Sequence, residues 1–417
     1  MFKPRVTTGL VVCLSLLACA RAPLADPKRA PVAPAPSATA SAHDAALALH
    51  RAAIVIDTHN DVTQRLIMQD ADLSRRLPDG QTDLPRMREG GLDAEFLSVF
   101  VVPDIYPKEQ AYQQALAQFD AIDRLVAANP GSTVLARTTT DVRTAVAAGK
   151  TAFLIGVEGG HALGDAADAE LLRRLEQFYA RGARYMTLTW SNSNRLGGSS
   201  GDEGKTQGLT PFGREVVLKM NDLGMLVDIS HVSDASFFDA VRVSKRPVLA
   251  SHSSARALSD HPRNMTDDML RAVHDNGGAV CVNFGPQFLD ASWAKAEREA
   301  EARAAPEFKA ILSQGGSDPK AVQASMWKLY NGLGASLLRV PASLVIDHIE
   351  HVARVAGIDH VCIGSDYDGI AVAPAGLDDV SKLPFVTEEL LRRGFSPSDV
   401  RKVLGENVLR VLAASEH

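Results

Sequence analysis

The chain has little cysteine and no surplus of basic residues. Its 417 residues include four cysteines, and its formal net charge is −6 with a pI near 6.1. This balance indicates neither a nucleic-acid-binding surface nor a polybasic membrane patch. Cys281 and Cys362 lie in the apolar runs GGAVCVNF and HVCIGSD. We therefore expect two buried free thiols that pack as small hydrophobic side chains, and no disulfide framework.

The first 19 residues have the pattern of an export signal. The basic start MFKPR precedes VTTGLVVCLSLLACA, an apolar run too short to cross a bilayer. The end of this run, LLAC, resembles a bacterial lipobox, which implies cleavage before Cys19 and lipid attachment to its thiol. The alternative is a plain cleaved signal. We predict an exported, lipid-anchored protein of a bacterial cell envelope, either periplasmic or outer-membrane-associated.

Residues 20–43 are predicted to form a tether. Pro and Ala dominate this segment and no apolar period is present, which favours an extended linker. Residues 44–417 are then left for the folded domain.

Eight short β-rich runs recur along this domain and alternate with amphipathic helical patterns. They lie at 52–61, 94–102, 152–160, 184–190, 225–231, 247–253, 279–285 and 360–366. This alternation is typical of parallel β-structure covered by helices, and eight units predict a (β/α)8 TIM barrel with helical insertions. A doubly wound open sheet is the alternative. The turn after the first run, DTHNDVTQRL, lacks the glycines of its phosphate-binding loop.

One insertion is predicted at 286–340. Its stretch ASWAKAEREAEARAAPEFKAILSQ is rich in Ala and in charge. We expect helices outside the barrel, packed on its rim or on a partner subunit.

Potential metal ligands fall at the predicted carboxyl ends of the strands. In a barrel these ends meet at one mouth, where active sites lie. The residues there are His59, Asp61, Glu158, Trp190, His231, His252 and Asp366. Taken singly, each is more often a core, rim or capping residue. Three imidazoles and three carboxylates together indicate a metal site suited to Zn²⁺, with Mn²⁺, Co²⁺ or Fe²⁺ as alternatives.

The spacing of these residues suggests two ions. His59 and Asp61 are two residues apart on one strand, so their side chains can face the same side. His231 and His252 come from adjacent strands and can grip a second ion. A carboxylate such as Glu158 has two oxygens and can bridge both ions. Asp366 is the candidate for proton transfer.

The chain resembles the renal (membrane) dipeptidase family, the M19 metallopeptidases of the amidohydrolase superfamily. The matching stretches are DTHND, GVEGGHAL, RYMTLT, VDISHVSDASFFDAV, SHSSARAL, HPRNMTDDML, IGSDYDG and GENVLRV, in family order from about residue 52 to 412. The resemblance implies a binuclear zinc dipeptidase with two Zn²⁺ per chain. One ion would be bound by His59 and Asp61, the other by His231 and His252, and both by Glu158.

The resemblance also implies the mechanism and the substrate. A hydroxide bridging the two ions would attack the peptide bond of a dipeptide, including those with a C-terminal D-amino acid. Asp366 would take the proton and contact the free amine. Arg263 would bind the terminal carboxylate, a role that suits a planar guanidinium. Asn264 would either add a hydrogen bond to the substrate or hold the turn. A homodimer is a further expectation from the family.

Trp190 departs from the family pattern. The family commonly has a His directly after LTLT, which is thought to bind substrate and stabilise the oxyanion, whereas this chain reads TLTWSNSN. An indole has one N–H donor and cannot become cationic near neutral pH. Trp190 therefore either substitutes for that His or packs against the rim.

Two other functions compete with a dipeptidase. One is another metal-dependent amidohydrolase acting on N-acyl amino acids, β-lactams or lactones. The other is a non-catalytic envelope binding protein, for which the replacement at Trp190 is the main support.

Overall fold

The computed structural model describes residues 42–202, 207–313 and 318–417. The predicted signal peptide with Cys19, and residues 20–41 of the predicted tether, lie outside these ranges. Residues 42 and 43 already belong to a helix, so the described fold begins two residues before the predicted boundary at 44. Within the three described ranges, no helix combines the length and the apolar character needed to cross a membrane.

A parallel sheet of nine strands is present, and eight of them curl into a nearly closed barrel. The strands are β1 (Ile56–Asn60), β2 (Ala94–Phe100), β3 (Thr133–Leu135), β4 (Thr151–Glu158), β5 (Ala183–Thr187), β6 (Leu226–Asp228), β7 (Leu249–Ala250), β8 (Ala279–Val282) and β9 (Val361–Ile363). Their order is β1-β2-β4-β5-β6-β7-β8-β9, and a parallel bridge between Asn60 and Tyr367 joins the two ends. All eight predicted runs overlap a strand, and the (β/α)8 fold is confirmed. β3 was not predicted; it pairs with β4 outside this order.

Helices cover the barrel and close its ends. They are α1 (Ala42–Ala52), α2 (Thr63–Gln69), α3 (Leu84–Glu89), α4 (Glu109–Ala128), α5 (Thr139–Ala147), α6 (Asp168–Arg181), α7 (Pro211–Leu223), α8 (Asp234–Val243), α9 (Asp267–Asn276), α10 (Pro286–Leu289), α11 (Ala291–Ser313), α12 (Pro319–Ala335), α13 (Ser343–Ala356), α14 (Pro384–Arg392), α15 (Pro397–Arg401) and α16 (Asn407–Ser415). α7 shows how the sequence sets such bounds. The Thr210 side chain accepts from the backbone N–H of Gly213, and Gly224 ends the helix in the left-handed conformation.

The strands are apolar on both faces because both faces are buried. On β4, Phe153, Ile155 and Val157 pack in the cluster that contains the surrounding helices, whereas Ala152 and Leu154 pack in a second, inner cluster. This burial explains the near-continuous apolar runs of the sequence. The polar residues that follow these runs are thereby placed at the carboxyl end of the barrel.

Cys281 and Cys362 form a disulfide, so the prediction of two free thiols was wrong. The two residues are direct register partners on the neighbouring strands β8 and β9, with Cα atoms 4.1 Å apart. Their burial followed from the apolar runs around them. Their pairing depends on the register between two strands that are separated by 81 residues of sequence.

The described part of the insertion at 286–340 is helical. It contains α10, α11 and α12, and side chains from all three line a cavity at the barrel mouth. The insertion therefore contributes to the wall of that cavity.

Candidate metal centre

Six of the predicted site residues meet at the carboxyl mouth of the barrel. His59 lies on β1, Glu158 ends β4, and the others come within three residues of the end of β1, β6, β7 or β9: Asp61, His231, His252 and Asp366. Asp366 is half-buried, and the other five side chains are buried. Five separate strands thus contribute to one polar cluster beneath the cavity.

Glu158 directs its two carboxylate oxygens to different imidazoles. Oε1 lies 2.9 Å from Nε2 of His231 and 3.5 Å from Nε2 of His252. Oε2 lies 3.6 Å from Nε2 of His59, which is itself 3.5 Å from Oδ2 of Asp61. Glu158 therefore stands between two groups of potential ligands, as a bridging carboxylate must.

The cluster has the properties of a site for cations. Within the described ranges, the buried atoms without a hydrogen-bond partner include Nε2 of His59, Oδ1 of Asp61 and Nδ1 of His231. Such atoms are costly unless something binds them. Ligand atoms of His59, Glu158 and His252 lie within 4.8 Å of one another, and so do those of His59, Asp61 and Asp366. Imidazole and carboxylate donors at these distances fit Zn²⁺ and related divalent ions.

His252 contacts both its expected partner His231 and His59 of the other expected ligand pair. Its Nε2 is 2.9 Å from Nε2 of His231, and its ring stacks on that of His59 with centroids 3.8 Å apart. The pairing of His231 with His252 is compatible with the short Nε2–Nε2 distance. The stack on His59 keeps all three imidazoles within one compact group.

Hydrogen bonds orient two of the imidazoles. Nδ1 of His252 lies 2.7 Å from the Ser251 hydroxyl, and that hydroxyl donates to Asp228. Nδ1 of His252 therefore donates to Ser251, and the lone pair of Nε2 is directed at the cluster. The Tyr185 hydroxyl donates to the carbonyl of Thr58, 3.1 Å away, and therefore accepts from Nδ1 of His59. Both histidines point Nε2 at Glu158. A fixed tautomer of this kind is typical of metal-binding histidine.

Burial controls the protonation of this group. It lowers the pKa of His231 to about 3, with a further contribution from the charge of Arg263, which leaves a neutral imidazole with a free lone pair. Burial opposes ionisation of Glu158, but the three imidazoles around it, His59 most of all, lower its pKa well below the usual value. Neutral imidazole and ionised carboxylate are the forms that bind metal.

Asp366 has one oxygen fixed and one directed at the cluster. Asn283 donates through Nδ2 to Oδ2 at 2.8 Å, while Oδ1 lies 4.0 Å from Nε2 of His59. Burial and the charges of Asp61 and Glu158 raise the pKa of Asp366 to about 7, against the opposing charge of His59. Its position beside both the cluster and the cavity makes it accessible to a bound substrate.

Two site residues have left-handed backbone conformations. His231 has φ 67° and Asp366 has φ 62°. Few non-glycine residues adopt this region, and those that do cluster at functional sites. Here the conformation turns each side chain inward just after a short strand.

Arg263 reaches the cavity and Asn264 does not contribute to its lining. The buried guanidinium of Arg263 donates to the backbone carbonyl of His252 at 3.2 Å, and burial lowers its pKa to about 10, so it stays charged at neutral pH. Asn264 donates from Nδ2 to the carbonyls of Ser259 and Phe288, both at 2.8 Å. These bonds support the turn role for Asn264. A contact with substrate remains a prediction.

Trp190 lines the same cavity. Its ring lies 4.8 Å from that of Phe100 and 6.4 Å from that of His231, measured between centroids. Trp190 thus packs on a neighbour and also faces the cavity, so the two alternatives from the sequence are not exclusive. Whether its indole stabilises charge during catalysis stays a prediction.

Three contributors to the site were not predicted from the sequence: Tyr185, Ser251 and Asn283. Tyr185 lies within the motif RYMTLT, where it resembles an ordinary core aromatic. Asn283 was detectable, because it is a polar residue closing the apolar run AVCVN on a predicted strand. The cavity wall supplied by α11 and α12 had no local signal, since the side chains that form it look like those of any amphipathic helix.

Known proteins share the sequence pattern and the architecture of this chain. The sequence model of the family described as Membrane dipeptidase (Peptidase family M19) matches residues 43–417. The structure of the probable dipeptidase PvdM from Pseudomonas aeruginosa is 26% identical, with a TM-score of 0.76 over 90% of this chain and 98% of that one. A metallo peptidase from Rhodobacter sphaeroides, liganded with a phosphinate mimic of the dipeptide L-Ala-D-Ala, is 28% identical, with a TM-score of 0.70 over 87% of this chain and 100% of that one.

Proposed function

We propose that this chain, which belongs to the membrane dipeptidase family (peptidase family M19) and is a dipeptidase-like hydrolase, cleaves dipeptides at a centre for two Zn²⁺ ions. His59 and Asp61 would hold one ion, His231 and His252 the other, and Glu158 both. The observation that carries this proposal is the division of the Glu158 oxygens between the two groups, at 2.9 Å from His231 and 3.6 Å from His59.

The metal pair would polarise the peptide carbonyl and lower the pKa of a bound water. Residues of the chain provide proton transfer and orient the ligands. Asp366 presents Oδ1 to the cluster while Asn283 fixes its other oxygen, so it is positioned to accept a proton and pass it to the departing amine. Glu158 stays ionised and orders the imidazoles around it.

The two ends of a dipeptide match two charged groups on the cavity wall. The guanidinium of Arg263 faces the cavity with its Nε unpaired and is suited to pair with the terminal carboxylate. Asp366 is suited to attract the free amine. Because both groups line one cavity of about 380 Å³, the substrate is held at both termini, which selects for length.

Substrates with a C-terminal D-residue form part of the proposal. The Rhodobacter sphaeroides metallo peptidase binds a phosphinate mimic of L-Ala-D-Ala in its crystal structure, and the whole of that chain aligns with 87% of this one. That likeness supports testing L-Ala-D-Ala first. The export signal, lipidation at Cys19, envelope localisation and dimerisation remain proposals drawn from the sequence and from the family.

The proposal is tested with the Glu158→Gln variant and a substrate panel. We expect about two metal ions per wild-type chain, and turnover of L-Ala-D-Ala or L-Ala-L-Ala but not of N-acetyl amino acids. Glu158→Gln should lose bound metal and reduce kcat/KM at least about a hundredfold. The matched control is Glu299→Gln on the exposed face of α11. Full activity of Glu158→Gln would defeat the mechanism, and turnover of only the N-acetylated substrates would favour the amidohydrolase alternative.

A further inference from the structure

Helix α12 presents a row of large side chains to the cavity. Gln323, Met326, Trp327 and Tyr330 all line it, at the spacing i, i+3, i+4 and i+7 that places residues on one helix face. In a helix packed on a core, such a face is covered by other parts of the chain. Here Met326, Trp327 and Tyr330 remain only half-buried and border open volume.

Two contacts fix α12 over the barrel mouth. Near its start, Nε2 of Gln323 donates to Oε1 of Gln64 on α2 at 2.8 Å. Near its end, a Cβ on Gly334 would lie 2.4 Å from Cβ of Ala371, so the helix backbone seats directly on the segment that follows Asp366. The face between these anchors is therefore held in place and is not a loosely attached surface.

The open volume in front of this face is the cavity of the metal centre. Glu158, His231 and Arg263 line it together with Trp327 and Tyr330. Phe308 of α11 and Ile105 add further apolar surface. A molecule bound at the metal centre would place part of itself against α12.

We propose that the α12 face is a subsite for a large apolar or aromatic side chain of the substrate. This inference rests on the proposed dipeptidase function and specifies its substrate class. Burial of such a side chain against Met326, Trp327 and Tyr330 would remove apolar surface of both partners from water. A methyl side chain would leave most of this surface uncovered.

The subsite takes the side chain of the N-terminal residue. α12 seats on the segment that follows Asp366 through Gly334 and Ala371, and its Tyr330 lines the same cavity as Asp366. The proposed function assigns the free amine of the dipeptide to Asp366. The side chain attached to the amine-bearing carbon is then the part of the substrate nearest to α12.

Glu301 of α11 restricts the charge of that side chain. Its carboxyl lines the same cavity. A carboxylate on the substrate's side chain would lose its hydration against the apolar α12 face and would be repelled by an ionised Glu301. The subsite therefore accepts neutral apolar side chains and rejects acidic ones.

The test compares dipeptides that differ only in the first residue. For the metal-loaded enzyme we expect kcat/KM for L-Phe-L-Ala to exceed that for L-Ala-L-Ala about tenfold or more, and that for L-Asp-L-Ala to fall below it. Trp327→Ala should reduce the Phe/Ala ratio by about tenfold. Leu338→Ala, at a side chain that is 92% exposed just after α12, should leave the ratio unchanged.

The possible outcomes separate this inference from the proposed function. Hydrolysis of L-Ala-L-Ala without any preference for Phe, or a preference for L-Lys-L-Ala over L-Phe-L-Ala, would overturn the subsite and leave the dipeptidase intact. An equal loss for both substrates in Trp327→Ala would also overturn it, because a merely structural role predicts that result. Absence of turnover for every dipeptide would instead defeat the proposed function.

Discussion

The hydroxyl of Tyr185 on β5 lies 2.7 Å from Nδ1 of His59 on β1, on a different part of the barrel wall. The same hydroxyl donates to the Thr58 carbonyl, so its lone pair is directed at the imidazole N–H. Tyr185 thereby fixes both the tautomer and the rotation of His59. We infer that Tyr185 is a positioning residue for the metal centre.

Replacing Tyr185 with Phe should weaken metal binding. The variant keeps the ring but removes the acceptor for Nδ1 of His59, so the imidazole loses its preferred tautomer. Partners of this kind typically contribute 10–100-fold in metal affinity, and we expect a loss of about that size. Competition with a chelator of known affinity measures the metal affinity of the variant independently of its enzymatic activity.

Tyr112→Phe is the matched control for the Tyr185 variant. The Tyr112 hydroxyl donates to Gln177 at 2.6 Å, on the helices outside the barrel. This variant should lose a similar hydrogen bond but no metal affinity. Equal metal affinity in Tyr185→Phe and wild type, with an unchanged melting temperature, would show that Tyr185 does not position His59.

Gly156 on β4 leaves the space that Tyr185 needs to reach His59. A Cβ at Gly156 would lie 1.9 Å from Cζ of the Tyr185 ring, and that ring also stacks on Phe96 with centroids 5.3 Å apart. Because the ring is fully buried, it has no free direction in which to move. We expect Gly156→Ala to destabilise the fold by about 1–3 kcal/mol.

Urea denaturation measures this change. Gly131→Ala is the control, since no heavy atom lies within 4 Å of a Cβ placed there. A wild-type midpoint for Gly156→Ala would mean that Tyr185 can move aside, and its role in holding His59 would then be in doubt.

The stability of the fold should depend on pH through Glu297. Burial and the charge of Glu301 raise the pKa of Glu297 from 4.5 to about 8, against an opposing effect of Arg298 and a hydrogen bond from Tyr330. Between these values the folded chain binds more protons than the unfolded chain, so this group lowers the free energy of unfolding as pH rises from about 4.5 to 8. Above that range, the contribution of Glu297 to the free energy of unfolding no longer changes with pH.

Glu297→Gln should remove this dependence. The variant should gain stability relative to wild type, on the order of 1 kcal/mol or more, when the pH is raised from 5 to 8.5. Thermal melts of both proteins at the two pH values measure the difference, with Glu299→Gln as an exposed control on the same helix. Parallel pH profiles for Glu297→Gln and wild type would exclude a protonated, buried Glu297.

Several features of this protein were predictable because they depend on local sequence. Eight apolar runs gave the strands of the barrel, since burial on both faces removes polar residues from them. The rule that parallel strands direct their carboxyl ends to one mouth then brought His59, Glu158 and His231 together without any knowledge of distances. The bounds of α7 agree with the capping chemistry of Thr210 and Gly224, which is also a property of the local sequence.

Asp57 illustrates the limit of such reasoning. From the sequence it either orients a ligand histidine or caps a turn. In the fold, its carboxylate accepts from the backbone N–H of Ser365 at 2.7 Å and lies 3.4 Å from the backbone N of His59. It therefore ties the first strand to the segment that carries Asp366, a contact across 308 residues of sequence.

Local sequence was enough to predict the eight strands of the barrel, the burial of both their faces and the polar side chains at their ends. Periodicity and the chemistry of single residues are local properties, so they can be recognised without knowledge of the fold. The tertiary structure alone decided that Cys281 pairs with Cys362, that Tyr185 reaches His59 past Gly156, and that α12 covers the cavity. Each of these contacts depends on strand register, barrel closure or helix docking, which fix distances between segments that are far apart in the chain.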